Sequence, residues 1–268
     1  MNPLIRWAGS KRQAIATLKP YWELSGKQKY LEPFCGSAAL FFEIDPTCAY
    51  LNDSNKALIN AYRQIRSSPR KVHTAVSALT NDPDTYYRIR SQSHEGLSGF
   101  DKAVRFLYLN RYCFNGIYRE NKKGHFNVPY GGQKVGNLPS EYEFRKGAKM
   151  LRSAKLFSVD FEDFIRANLT EGSFVYLDPP YAVSNVRTFR QYSPSSFGIS
   201  DLDRLFDVLE HIEKNGAFFL LSYAESEELD IFSSRWPQIK YSVKRHIAGF
   251  SRHRKRVAEV LISNLQQE

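Results

Sequence analysis

The sequence predicts a parallel, doubly wound α/β sheet interrupted by a mainly helical insertion. Three observations point to it. Short runs rich in aromatic and β-branched residues alternate with helical stretches toward both ends of the chain. From about Ser54 to Ala148 that rhythm gives way to basic, helical text. Two of the strand-like runs, "AYLND" at 49–53 and "SFVYLD" at 173–178, end in an acid, at the strand ends where open parallel sheets bind their ligands.

In chain order, "KYLEPFCGSAALFFEI" (29–44) predicts a short strand, a Gly/Ser turn and a helix for which Ser37 is a good N-cap. "AYLND" is the second strand. Helices follow at "KALINAYRQIR" (56–66), "RKVHTAVSAL" (70–79), "TYYRIRSQS" (85–93) and "DKAVRFLYLNRYC" (101–113). The Gly- and Asn-rich "FNGIYRENKKGHFNVPYGG" (114–132) predicts a hairpin or extended loop. The α/β rhythm resumes with "KLFSVD" (155–160), a helix at 161–168 and "SFVYLD". A helix at 200–215, the strand "AFFLLSY" (217–223) and strands near 238–244 and 257–263 complete it. The expected division is a sheet domain from 1–55 and 148–268, with the insertion at 56–147. No internal repeat or low-complexity tract is present.

The chain has 268 residues, with 38 Lys+Arg against 28 Asp+Glu. The resulting +10 charge and pI near 9.4 favour a polyanionic partner. Cys35, Cys48 and Cys113 form no CxxC pair, and the six histidines have no HExxH spacing, so no metal site is expected. The longest apolar run is "AFFLL" (217–221) and the N-terminus has no apolar core segment, so a cytoplasmic, membrane-free protein with reduced thiols is expected.

"FCGSAAL" carries one glycine where a dinucleotide fingerprint needs three, and no GxxxxGK[ST] occurs, which disfavours nucleoside triphosphate chemistry. Alone it means little; Asp53 at the next strand end gives it weight, because an acid there can bind ribose hydroxyls. "DPPY" (178–181) is more specific. The prolines lock φ and remove N–H donors, so the corner presents only acceptors. The Asp178 carboxylate and the Pro179 carbonyl suit an exocyclic NH₂ group, and Tyr181 offers a face for a planar base. Read blandly, the same stretch is a proline-rich turn with Asp178 as a cap.

The ordered set "RWAGSK" (6–11), "LEPFCGSAAL" (31–40), "YLND" (50–53), "LYLNRYCFNGIYREN" with "GHFNVPYGG" (107–121, 124–132) and "YLDPPY" (176–181) closely resembles the Dam family of DNA adenine-N6 methyltransferases. The resemblance covers nearly the whole chain. It implies a Rossmann-like methyltransferase sheet, with the insertion as a target-recognition domain carrying a β-hairpin. It also implies S-adenosyl-L-methionine as cofactor, double-stranded DNA as partner, base flipping and a monomeric enzyme without metal. Trp7, Lys11, Pro33, Phe34, Gly36, Ser37 and Asp53 would surround the cofactor, with Asp53 on the ribose and Asp160 and Phe161 near its adenine. Asp178, Pro179, Pro180 and Tyr181 would form the catalytic loop, with Asp178 also bordering the cofactor.

Arg119 aligns with a family arginine that reads guanine in GATC. Phe114, Asn115, Ile117, Asn127 and Pro129 stand at neighbouring base-contact positions, and Arg6 is a further expected DNA contact. The family's GATC enzymes typically carry Tyr and Leu where this chain has Phe114 and Ile117; both replacements keep apolar bulk, and Phe114 lacks the hydroxyl. Independently of the resemblance, an arginine fork can grip guanine O6 and N7. Lys122 and Lys123, and Arg252, Arg254 and Lys255 of "SRHRKR", are candidate phosphate contacts.

Four alternatives stay open: another short recognition site, cytosine-N4 transfer (which usually has Ser in place of Asp178), RNA methylation, and a non-catalytic DNA-binding module on the same fold. A solitary, phage-borne or restriction-modification context is not distinguished by the sequence.

Overall fold

The computed structural model describes residues 1–121, 124–132, 135–180, 197–226, 229–244 and 256–265. Seven strands form one sheet: β1 (Lys29–Glu32), β2 (Ala49–Asn52), β3 (Ala154–Phe157), β4 (Ser173–Leu177), β5 (Phe218–Ala224), β6 (Gln238–Lys244) and β7 (Arg256–Ser263). Their order is β3-β2-β1-β4-β5-β7-β6. All neighbours are parallel except β7, which runs antiparallel to both β5 and β6. Strand order reverses between β1 and β4, so the carboxyl ends of these two strands flank a topological switch point.

The pleat sorts residues onto two faces. Tyr30, Phe174, Tyr176, Leu220 and Leu261 point into one core, and Leu31, Val175, Leu177, Phe219, Leu221, Val260 and Ile262 into the other. The second core is closed by α8 (Phe161–Asn168), α9 (Ile199–Lys214) and the short α10 (Asp230–Ser233). The first receives α1 (Ile15–Leu24), whose Trp22 meets Tyr30 and Phe174 edge-on at 5.8 Å, and α2 (Ala39–Ile44).

Between β2 and β3 lie α3 (Lys56–Ser67), α4 (Pro69–Ser77), α5 (Pro83–Ser91), α6 (Gly99–Tyr112) and α7 (Glu141–Met150). Most have sequence-legible caps: Asn55, Asp82 and Ser98 bond the first-turn amides of α3, α5 and α6, and Ser140 with Glu143 forms a capping box on α7. Their buried side chains, among them Leu58, Tyr62, Phe106 and Phe144, belong to the same apolar cluster as Tyr30 and Phe174. The insertion therefore shares a core with one sheet face.

One local expectation fails. Ser37 does not cap α2: the helix begins at Ala39, its N-cap is Ala38 in the left-handed region (φ 50°), and no side chain caps it. The turn needs one residue more than the sequence pattern suggests, and the Ser37 hydroxyl is used elsewhere. No helix among the described residues is long and apolar enough to cross a membrane.

Candidate active site

The 33–38 turn leaves β1 at the switch point and is held from three directions. Cys35 N donates to the Asn52 carbonyl at 2.9 Å. Gly36 N donates to Asp53 Oδ2 at 3.0 Å, and the Tyr62 hydroxyl of α3 donates to the Gly36 carbonyl at 2.8 Å. Ser37 Oγ lies 2.8 Å from Ser10 Oγ, joining the turn to the N-terminal loop. Gly36 has φ +45°, and a Cβ there would sit 2.6 Å from Trp7 Cδ1. Only glycine lets the indole lie against this backbone. Trp7 in turn stacks on Tyr118 at 6.0 Å.

Asp53 also accepts from Asn55 N through Oδ1 at 2.9 Å. Burial pushes its carboxyl up to about 6, although both amide hydrogen bonds pull it down. Beside it, Asn52 is 1% exposed and laces three loops together. Its Nδ2 donates to the carbonyls of Pro33 (3.0 Å) and Val159 (3.1 Å), and its Oδ1 accepts from Val159 N (3.0 Å). The sequence alone does not single out Asn52; the one signal it carries is a polar side chain inside a short buried strand.

After β3, Asp160 caps α8 by accepting from Glu162 N at 2.9 Å and pairs with Arg204. The Arg204 guanidinium lies 4.7 Å from the centre of the Phe161 ring. Phe34, Phe161 and Phe197 form an aromatic group with centroids 5.2–6.1 Å apart. Pro33, Phe34, Gly36, Asp53, Asp160 and Phe161 thus collect at the carboxyl ends of β1, β2 and β3.

Asp178 follows β4, with Pro179 buried and Pro180 exposed after it. Its Oδ1 lies 2.8 Å from Lys11 Nζ, and Lys11 is only 5% exposed. Lys11 and Asp178, both expected to border the cofactor, are thus brought into direct contact. Glu32, buried at the end of β1, accepts from Tyr30 OH at 3.0 Å. Burial holds its carboxyl well above the usual range, the Tyr30 hydrogen bond opposes this, and the nearby charges of Asp178 and Asp53 add to it. Tyr181 lies outside the described residues.

The 112–131 segment is a hairpin. Gly131 N donates to the Tyr112 carbonyl (2.8 Å), Phe114 N to that of Pro129 (2.9 Å), Asn127 N to that of Arg119 (3.1 Å) and Asn121 N to that of His125 (2.8 Å). Tyr86 OH and Arg90 of α5 both donate to the Val128 carbonyl and anchor it. Arg6 is fixed at its base: Nη1 donates to the Arg111 carbonyl at 2.8 Å, and Asn110 pairs with the Arg6 backbone. Arg119 Nε donates to Asn127 Oδ1 at 2.7 Å. Phe114, Asn115 and Pro129 are exposed, and Ile117 is half-buried against the core. Asn115 takes φ 56°, a left-handed conformation that asparagine tolerates. Lys122, Lys123, Arg252, Arg254 and Lys255 lie outside the described residues.

Residues 7–247 match the family model of the D12 class N6 adenine-specific DNA methyltransferases. A type II methyltransferase, M1.LlaDCHI of Lactococcus lactis subsp. cremoris, is 33% identical over 98% of this chain and 95% of its own length. The retron Ec67 DNA adenine methylase of Escherichia coli is 31% identical over 97% and 90%. The DNA adenine methylase of Escherichia coli K12 is 30% identical over 96% and 93%. With the strand order, the acceptor corner after β4 and a match across nine-tenths of its length, this chain belongs to the D12 class of N6 adenine-specific DNA methyltransferases.

Proposed function

We propose that this DNA adenine methyltransferase takes its methyl group from S-adenosyl-L-methionine and delivers it to adenine N6 within GATC in duplex DNA. The observation that carries the reading is the Asp178–Pro179 corner, held by Lys11 at 2.8 Å, beside the Gly36–Asp53 turn at the switch point. The residues there fit the donor. Asp53 offers a half-buried acceptor for ribose hydroxyls, the Phe34–Phe161–Phe197 group offers apolar faces for an adenine, and Gly36 lets Trp7 close on the turn. When bound, the donor supplies an electrophilic sulfonium methyl.

The chain's own residues act on the adenine. Its amine is a poor nucleophile because the lone pair is delocalised into the ring. Once the base leaves the stack, at a cost of a few kcal/mol, Asp178 and the Pro179 carbonyl accept its two N–H bonds. That geometry favours a pyramidal nitrogen and aims its lone pair, so positioning supplies much of the rate. Lys11 fixes the carboxylate, and Tyr181 stacks on the extruded ring.

The segment 56–147 carries target recognition. Asn127 occupies Arg119 Nε, and the Nη pair, which makes no hydrogen bond among the described residues, is left to meet guanine O6 and N7. Phe114, Asn115, Ile117 and Pro129 address neighbouring bases, while Lys122, Lys123, Arg252, Arg254 and Lys255 neutralise phosphates. The test is to methylate unmodified plasmid DNA in vitro and map N6-methyladenine by single-molecule sequencing. Methylation confined to GATC is expected; a different motif would overturn the site assignment, and no transfer from S-adenosyl-L-methionine would overturn the donor.

A further inference from the structure

Behind Asp178 the buried polar contacts continue past Lys11. Lys11 Nζ contacts two carboxylates: Asp178 Oδ1 at 2.8 Å, and Glu259 at 3.4 Å (Oε2) and 3.5 Å (Oε1). Glu259 is 1% exposed. The Tyr241 hydroxyl donates to its Oε2, and Ser222 Oγ lies 3.2 Å from that hydroxyl. Burial and the charge of Glu259 push the Tyr241 phenol up, so it stays a donor.

A lone counter-ion for Lys11 would need only Asp178, and a second buried carboxylate costs desolvation that its partners must offset. What distinguishes Glu259 is its mounting. Lys11 begins a short 3-10 turn, and Asp178 is the first residue beyond β4. Glu259 instead lies within β7, in register with Ala224 of β5 and Tyr241 of β6, so both neighbouring strands fix its backbone. A rigid strand residue is suited to hold groups that come from turns. Glu259 also lies beyond the 7–247 span matched by the family model.

We propose that Glu259 is a positioning residue for methyl transfer: seated by Tyr241, it fixes the Lys11 ammonium, and through it the orientation of the Asp178 carboxylate. It does not touch the substrate. This rests on the reading of Asp178 as the group that engages the adenine amine.

The test uses the full chain and four variants, Glu259→Gln, Tyr241→Phe, Lys11→Met and the Glu259→Gln/Lys11→Met double, in single-turnover transfer from S-adenosyl-L-methionine to a GATC duplex. Dissociation constants for both substrates and melting temperatures are measured in parallel. Glu259→Gln should slow transfer about 10- to 100-fold, the scale for ångström-level misplacement, with both constants within about threefold of the parent. Tyr241→Phe should move the same way by a smaller factor, and it decides the matter alone if Glu259→Gln does not fold. The double variant should be no slower than Lys11→Met, because the two act as one unit. Parent-like transfer in a folded Glu259→Gln, or in Tyr241→Phe where Glu259→Gln does not fold, would overturn the proposal. So would additive losses in the double variant, or loss of substrate affinity in proportion to rate. Asp178→Ala separates the two readings: if it transfers normally, the catalytic assignment fails, whereas an inert Asp178→Ala beside a normal Glu259→Gln refutes only the positioning role.

Discussion

Asn52 gives the sharpest structural prediction, because its side chain makes three hydrogen bonds in a fully buried setting and joins the loops after β1, β2 and β3. Asn52→Leu keeps the branching pattern of the side chain's heavy atoms and removes all three. Each lost bond is worth about 1 kcal/mol, and more where its partner is left unsatisfied, so the variant should lose about 3 kcal/mol or somewhat more. For a chain of this size that corresponds to roughly 6–12 °C in melting temperature. The damage should also reach function, because Pro33 and Val159 flank the Gly36 turn and the Asp160–Phe161 cap. The dissociation constant for S-adenosyl-L-methionine should therefore rise in parallel. Urea denaturation followed by circular dichroism gives the stability, and calorimetry gives the affinity. A shift below about 0.5 kcal/mol with parent-like affinity would refute the reasoning, since that is the scale of a neutral surface change.

Two more outcomes follow from the site. With its carboxyl raised to about 6, Asp53 gains a proton as pH falls, so donor affinity should weaken about tenfold from pH 8 to pH 5. Asp53→Asn should flatten that profile, and a flat profile in the parent would contradict the ribose role. The raised value also sets the sign for folding: the benefit of the neutral form is complete below the unfolded carboxyl value and is lost as pH rises through about 6. Arg119→Ala should cost roughly 1–3 kcal/mol of discrimination at the guanine pair alone, read by competition between GATC and duplexes altered only there. Unchanged discrimination would place the reader elsewhere.

Much of the architecture was legible because the signals are local. Alternating strands and helices predicted β1 to β7 and the helices α3 to α6 closely, and "DPPY" announced its corner because proline constrains the backbone directly. Long-range features were not legible. Lys11 and Glu259 are 248 positions apart, and nothing in "VAEVLIS" says which buried group its acid will meet. Asn52 reads as an ordinary strand end until the loops after β1 and β3 close over it. Helix α1 carries Pro20 in its interior, which breaks the pattern that would have marked it. Ser37 misled for the opposite reason: a residue suited to a local cap was recruited by Ser10, and Ala38 took the left-handed step before α2. The shared core of insertion and sheet is likewise a property of packing, not of any single segment.

The central claim is that the Asp178 corner acts on the adenine amine, and Asp178→Ala in single-turnover transfer tests it most directly, with DNA binding followed by fluorescence anisotropy on the same duplex. The account predicts a rate lower by on the order of 10²–10³-fold or more, as for removal of one transition-state hydrogen-bonding group, with DNA affinity within about threefold of the parent. Transfer above about one-tenth of the parental rate, or a loss explained by weaker DNA binding, would contradict it.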